Sequence, residues 1–276
     1  MRLTGAAVTA EDLVLGYGGR VVIDRSSFEI PSGKLTSVIG PNGSGKSTLL
    51  NCIAGLIEPV GGTIRSIEDR RRVAYVMQAT KVSDALPLSV AEVVTMGRYA
   101  ETGPYRRLNS DDRVAVAGAM ERLGITDIAE TRLNELSGGQ RQRAFLAQGL
   151  AQDHDLLLLD EPLTGIDLTT AMAIDEIIHQ EVEEGCAVVM TTHDLSEARV
   201  ADHVLLLSGR VIESGPPDQV LTAGNLAEAY GSALLHVEDG RVFVDDAAHS
   251  PVAGHHVHRE RVIHTEAEPS DLHDTT

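Results

Sequence analysis

The chain has 276 residues, 42% of them hydrophobic, and a formal charge of −18. It can bury a core, but it is too acidic to hold nucleic acid or anionic lipid through a surplus of Lys and Arg. No run reaches the roughly 18 apolar residues that a membrane helix needs, and Met1–Gly5 lacks the apolar stretch of a secretory signal. A cytoplasmic protein that reaches any membrane through a protein partner is therefore expected.

From Asp12 to about Leu207, short apolar runs alternate with helical stretches, the pattern of an α/β fold. Leu35–Ile39, Val73–Met77, Leu156–Leu159, Ala187–Met190 and Val204–Leu207 read as strands. Leu49, Cys52, Ile53 and Leu56 share one helical face, as do Ala171, Ile174, Ile178 and Val182. Between Ala79 and Leu136 strand signals stop, and Val116, Ala119, Met120 and Leu123 line a helical face, so a helical insert is predicted at about 79–150. No internal repeat occurs, which excludes two fused copies of one unit. Ser208-Gly209-Arg210 turns the chain into a return strand, Val211–Glu213. A second hairpin is predicted from Leu234–Val237 and Val242–Val244 around Asp239-Gly240. Past Asp246 the composition shifts to Ala, His, Pro, Glu, Asp and Thr without periodicity. Residues 1–247 are thus read as the domain and 248–276 as a disordered tail rich in His and acids. The chain's two cysteines, Cys52 and Cys186, sit among apolar neighbours and read as buried, reduced and structural, in neither a disulfide nor a metal site.

Gly40-Pro41-Asn42-Gly43-Ser44-Gly45-Lys46-Ser47-Thr48 follows a predicted strand and opens a predicted helix. Glycines let backbone N–H groups turn inward, and the helix N-terminus adds partial positive charge, so phosphates bind there. Lys46 can reach the β- and γ-phosphates of a nucleotide, and the Ser47 hydroxyl can ligate Mg²⁺. Such a cradle (Walker A) serves kinases, GTPases and ATPases alike. Leu156–Leu159 then leads into Asp160 and Glu161. The end of that buried strand brings Asp160 near the metal of the cradle. Glu161 follows at once, where a carboxylate could polarise an attacking water.

Leu136-Ser137-Gly138-Gly139-Gln140 precedes this acidic pair. Together the three motifs resemble the ABC ATPase family over roughly Asp12 to Gly215. The resemblance implies a P-loop NTPase core of ABC type, with an antiparallel β portion on its N-terminal side and a helical insert, that binds and hydrolyses ATP with Mg²⁺. It also implies a head-to-tail homodimer in which Ser137, Gly138, Gly139 and Gln140 of one copy cap the ATP held by the other. Tyr17 matches the residue that stacks on adenine, and Gln78 the glutamine that senses metal and attacking water. Asp167 matches the loop that communicates across the dimer, and His193 the histidine that contacts the γ-phosphate. His154, His179 and His203 match nothing and read as surface or packing residues.

The chain has neither the long insertions nor the tandem units of nucleic-acid-linked ABC ATPases, so a transporter subunit is expected over that alternative. Val94-Thr95-Met96-Gly97-Arg98-Tyr99 with Gly103-Pro104-Tyr105-Arg106-Arg107, and Asp160–Asp167 apart from Leu163 and Ile166, resemble the zinc/manganese and related iron importers of bacteria. Siderophore and haem importers share the Gly-Arg feature and form the alternative. The expected partners are a multi-span permease, contacted near Gln78–Leu88, and an extracytoplasmic substrate-binding protein, with the chain at the inner face of the cell membrane. His249, His255, His256, His258, His264 and His273 crowd the tail without the fixed spacing of a defined metal site.

Overall fold

The computed structural model describes residues 5–67, 70–78, 87–99, 107–231, 235–238 and 241–244. The chain opens with β1 (Ala6–Tyr17), β2 (Arg20–Pro31), β3 (Leu35–Ile39) and helix α1 (Lys46–Ile53). Strands β4 (Gly61–Arg65) and β5 (Val73–Val76) lead to helices α2 (Val90–Met96), α3 (Ser110–Arg122) and α4 (Gly138–Leu150). Strand and helix then alternate through β6 (Leu156–Asp160), α5 (Leu168–Glu183), β7 (Ala187–Thr192), α6 (Leu195–Arg199) and β8 (His203–Leu207). Next come β9 (Val211–Gly215), α7 (Pro217–Val220), α8 (Ala223–Tyr230) and the antiparallel hairpin of β10 (Leu235–Glu238) with β11 (Arg241–Val244).

Six strands form one sheet in the order β5-β6-β7-β3-β8-β9, all parallel except the edge pair β8–β9. A parallel sheet is covered on both faces, which is why its strands read as unbroken apolar runs. Side chains still alternate. Leu157, Leu159, Val188 and Met190 pack with Val94, Phe145, Ile174 and Ile178 of the helices. Leu156, Leu158, Ala187 and Val189 face the other way, onto Leu13, Leu15, Ile30, Leu49 and Leu50. Each strand therefore belongs to two cores at once.

That second core is roofed by a three-stranded antiparallel sheet, β2-β1-β4, the expected β portion. β1 and β2 meet at Tyr17↔Arg20 across Gly18-Gly19, both at positive φ (54° and 84°), as a tight hairpin turn demands. A bulge at Glu11-Asp12 breaks the alternation of β1, so these long strands are poorly marked in the sequence.

Two sequence expectations need correction. Leu56 does not continue the α1 face: the helix ends at Ile53, Gly55 turns to φ 73°, and Leu56 is 63% exposed. Met77 lies beyond β5 and is exposed. The predicted tail, Leu234, and the Gly103–Arg106 part of the insert lie outside the described residues.

Within the insert, α2, α3 and α4 each begin with a reciprocal cap: Ser89 with Glu92, Asn109 with Asp112, and Ser137 with Gln140. Arg98, just past α2, is buried. It donates to Asp112 at 3.0 Å, to the Ala151 carbonyl at 2.9 Å and to Asp153 at 3.1 Å. A methyl group at Gly97 would lie 2.1 Å from the Gln148 carbonyl oxygen. The Gly-Arg pair thus ties the first helix of the insert to the ends of the other two.

Candidate active site

The carboxyl ends of β3, β5, β6 and β7 converge, as ligand crevices of open α/β sheets do. At the end of β3 the chain must pass close to β8. A methyl group on Gly40 would sit 1.9 Å from the Leu207 carbonyl oxygen, so only glycine fits. The loop reaches α1 through Gly45 at φ 106°, wedged against Ile23. Lys46 is buried and curls back, donating to the carbonyls of Gly40 at 2.8 Å and Pro41 at 3.3 Å. Ser44 holds a buried hydroxyl with no hydrogen-bond partner, a polar group of the kind a phosphate oxygen satisfies. Asn42 and Gly43 are exposed, and Pro41, Ser47 and Thr48 are half-buried.

Across from this loop, Asp160 ends β6 and is buried. Ser47 donates to its Oδ1 at 3.1 Å, and Thr191, its register partner on β7, donates to the same oxygen at 2.8 Å. Glu161 follows at φ 51°, in the left-handed region that a side chain enters at a cost of about 1–2 kcal/mol. What holds it there is visible: its N–H donates to Thr191 Oγ1 at 2.9 Å, and its Oε2 accepts from Gln78 Nε2 at 3.1 Å. Strain of this sort persists where surroundings over-determine it, commonly at functional sites. One connected line thus runs Ser47, Asp160, Thr191, Glu161, Gln78. Nearby on β5, burial, then the charge of Asp160 and the proximity of Tyr17, push the Tyr75 phenol far above its usual range.

Other candidate residues stand outside that line. Tyr17, at the end of β1, is half exposed. His193, just after β7, is exposed, while Thr192 beside it donates to Glu197 at 2.6 Å. Burial lifts the Glu197 carboxyl above the usual range. Ser137 is exposed at the N-terminus of α4, where its hydroxyl accepts from the Gln140 N–H and its own N–H donates to Gln140 Oε1. Gly138 is exposed and Gly139 half-buried. Asp167 caps α5, accepting from the N–H of Thr170 at 3.0 Å and from its hydroxyl at 2.8 Å, bonds that hold its carboxyl below the usual range. A methyl group on Gly139 would lie 3.6 Å from Asp167 Oδ2, so these two meet within one chain.

Thr191 escaped the sequence reading, because a threonine ending an apolar strand carries no signal until its register is known. Thr191→Val keeps the volume but leaves the Glu161 N–H without its acceptor. Unfolding in urea should show a loss of about 1–3 kcal/mol, the worth of an orphaned buried group. An unchanged midpoint would mean that the hydroxyl holds nothing in place.

A glycine-shaped loop between strand and helix, a lysine and a hydroxyl at the helix start, and an acidic pair at the end of β6, one strand removed from β3 across β7, define a P-loop nucleotide-binding α/β protein. The family model described as ABC transporter matches residues 23–164, and the chain belongs to that family. It is 37% identical over 238 residues to the manganese transport system ATP-binding protein MntB of Bacillus subtilis, covering 84% of this chain and 95% of that one. It is 38% identical over 259 residues to the zinc transport system ATP-binding protein TroB of Treponema pallidum, covering 90% and 97%. Among solved structures, it superposes on an ABC transporter described as of metal-chelate type, in an inward-facing conformation. There the TM-score is 0.73 and the identity 27%, over 87% of this chain and 96% of that one. No helix among the described residues is long and apolar enough to cross a membrane.

Proposed function

We propose that the chain is the ATP-hydrolysing subunit of a metal-ion importer, with manganese, zinc or iron as the cargo class. The observation that carries the catalytic part is the line from Ser47 through Asp160 and Thr191 to Glu161 and Gln78. The cargo class rests on the motif resemblance around Gly97-Arg98 and Asp160–Asp167 and on the names of relatives, since the transported ion is handled by the permease.

In this reading the loop from Gly40 to Gly45 with Lys46 and Thr48 cradles the phosphates of ATP, and Ser44 supplies its unpaired hydroxyl. Ser47, Asp160 and Gln78 suit a hard cation with oxygen ligands. Mg²⁺ bound there would neutralise charge on the β- and γ-phosphates. Glu161 takes the proton of the attacking water, oriented by Gln78, and His193 approaches the γ-phosphate from the end of β7. Tyr17 stacks on adenine. Residues 1–247 form the ATP-binding domain, with the insert at about 79–150, and the chain sits beneath a permease at the inner face of the membrane, served by an extracytoplasmic binding protein.

The exposed start of α4 aims its free N–H groups and dipole outward, where the γ-phosphate of a second copy would be met. Ser137→Arg tests this. It should leave ATP binding to the monomer intact and stop hydrolysis, because a bulky cation takes the partner's γ-phosphate position. Ser137→Ala is the comparison: it removes the hydroxyl and a helix cap worth about 0.5–2 kcal/mol but adds no cation, so it should impair hydrolysis less than Ser137→Arg. Parental hydrolysis by Ser137→Arg would end the head-to-tail arrangement.

A further inference from the structure

At the opposite end of the sheet, three side chains with metal-binding chemistry meet. His154 lies in the connector from α4 to β6, Glu181 in the last turn of α5, and Cys186 just before β7. Their ligand atoms all lie within 4.8 Å of one another, the one such group among the described residues. The His154 and Glu181 side chains are each 6% exposed, and Cys186 is buried. Beside them opens a polar recess of about 390 Å³, also lined by Arg72, Arg122, Gln152 and Asp153.

The hydrogen bonds fix which atoms are available. His154 Nδ1 lies 2.7 Å from the Gln152 carbonyl, which only accepts, so Nδ1 carries a proton and Nε2 is the outward nitrogen. Metal-bound histidines are oriented by this kind of bond on the far nitrogen. Nε2 is 3.0 Å from Glu181 Oε2, while Arg122 pairs with Oε1 at 2.7 Å, leaving one carboxylate oxygen to share. Bond lengths of about 2.0–2.3 Å put tetrahedral ligands roughly 3.3–3.8 Å apart, so the trio need close by only about 1 Å.

We propose that His154, Glu181 and Cys186 form a binding site for a zinc-class divalent cation, with its fourth position open to the recess. A thiolate and an imidazole select such an ion over Mg²⁺ or Ca²⁺. The ion takes the Nε2 lone pair, the Cys186 sulfur and Glu181 Oε2. The thiol proton, and the proton that Nε2 shares with Glu181, pass to solvent. The bound cation would tie the starts of β6 and β7 to the end of α5, remote from Asp160 at the other end of β6. The site does not depend on the chain's being a metal importer.

Co²⁺ titration of the full-length, reduced protein without nucleotide tests it. A thiolate-to-cobalt charge-transfer band should saturate at one equivalent and be displaced by Zn²⁺. The histidine-rich tail contains no cysteine and gives no such band. The band should vanish in Cys186→Ser, persist in Cys52→Ser, and need more than about 10-fold higher Co²⁺ in His154→Gln, the low end of what a lost ligand or its support costs. Should Cys186→Ser fail to fold, the band retained in Cys52→Ser still assigns the sulfur, because the chain has two cysteines. No charge-transfer band at saturating Co²⁺, or a band that survives in folded Cys186→Ser, overturns the site.

Discussion

Replacing Glu161 by glutamine should lower ATP hydrolysis by roughly 10²–10⁴-fold, the usual worth of a positioned general base. The side chain keeps its size, and glutamine at φ 51° is strained no more than glutamate, so the fold should not notice the change. The Thr191 bond to the backbone N–H of residue 161 is likewise untouched. Binding should survive, because in the proposed site the loop, Lys46 and Ser47 would hold the phosphates without it. Binding should even tighten, since a carboxylate near the γ-phosphate repels it and an amide does not. In the proposed head-to-tail dimer, ATP that is bound and not consumed would shift the assembly equilibrium towards dimer by linkage. Size-exclusion chromatography with and without Mg-ATP, beside a phosphate-release assay, reads both effects. A monomeric variant with parental turnover would reduce Glu161 to an acid that merely ends a strand.

Lys46→Ala should weaken ATP binding by at least about 10-fold and as much as about 10²-fold, as expected for a charge-assisted phosphate contact of about 1.5–3 kcal/mol. Lys46 also donates to the Gly40 and Pro41 carbonyls, so the variant loses the tie that curls the loop over the helix start. The helix itself should persist, because alanine has the best helix propensity. Isothermal titration with ATP checks the affinity, and circular dichroism checks the fold. A folded variant with parental affinity would show that the loop is not the phosphate cradle.

How much of this was legible depended on how local each feature is. The loop from Gly40 to Thr48 and the run Leu156–Glu161 carry their chemistry in consecutive residues, and the fold brings Ser47, Asp160, Glu161 and Gln78 together. Thr191 depends on the register Asp160↔Thr191, which no periodicity announces. Leu56 satisfied the helical period but stood beyond the end of α1. The end of α1 is marked by Gly55 at positive φ and not by the spacing of apolar residues. β1 and β2 were opaque because bulges interrupt their alternation. The burial and partners of Arg98, and the meeting of His154, Glu181 and Cys186, were invisible for a third reason. Their partners are distant in sequence, so a buried ion pair and a lone cysteine looked like an ordinary charge and an ordinary core residue.

The left-handed backbone at Glu161 bears on how this protein can be engineered. Glycine would relieve that conformation, so, on the proposed role of Glu161, the most stable residue for this backbone would not be the active one. A campaign that ranks variants by melting temperature alone would be drawn towards Glu161→Gly and would discard the carboxylate on the way. Stabilised versions of this domain should therefore be sought in its exposed helices and loops, with position 161 held fixed.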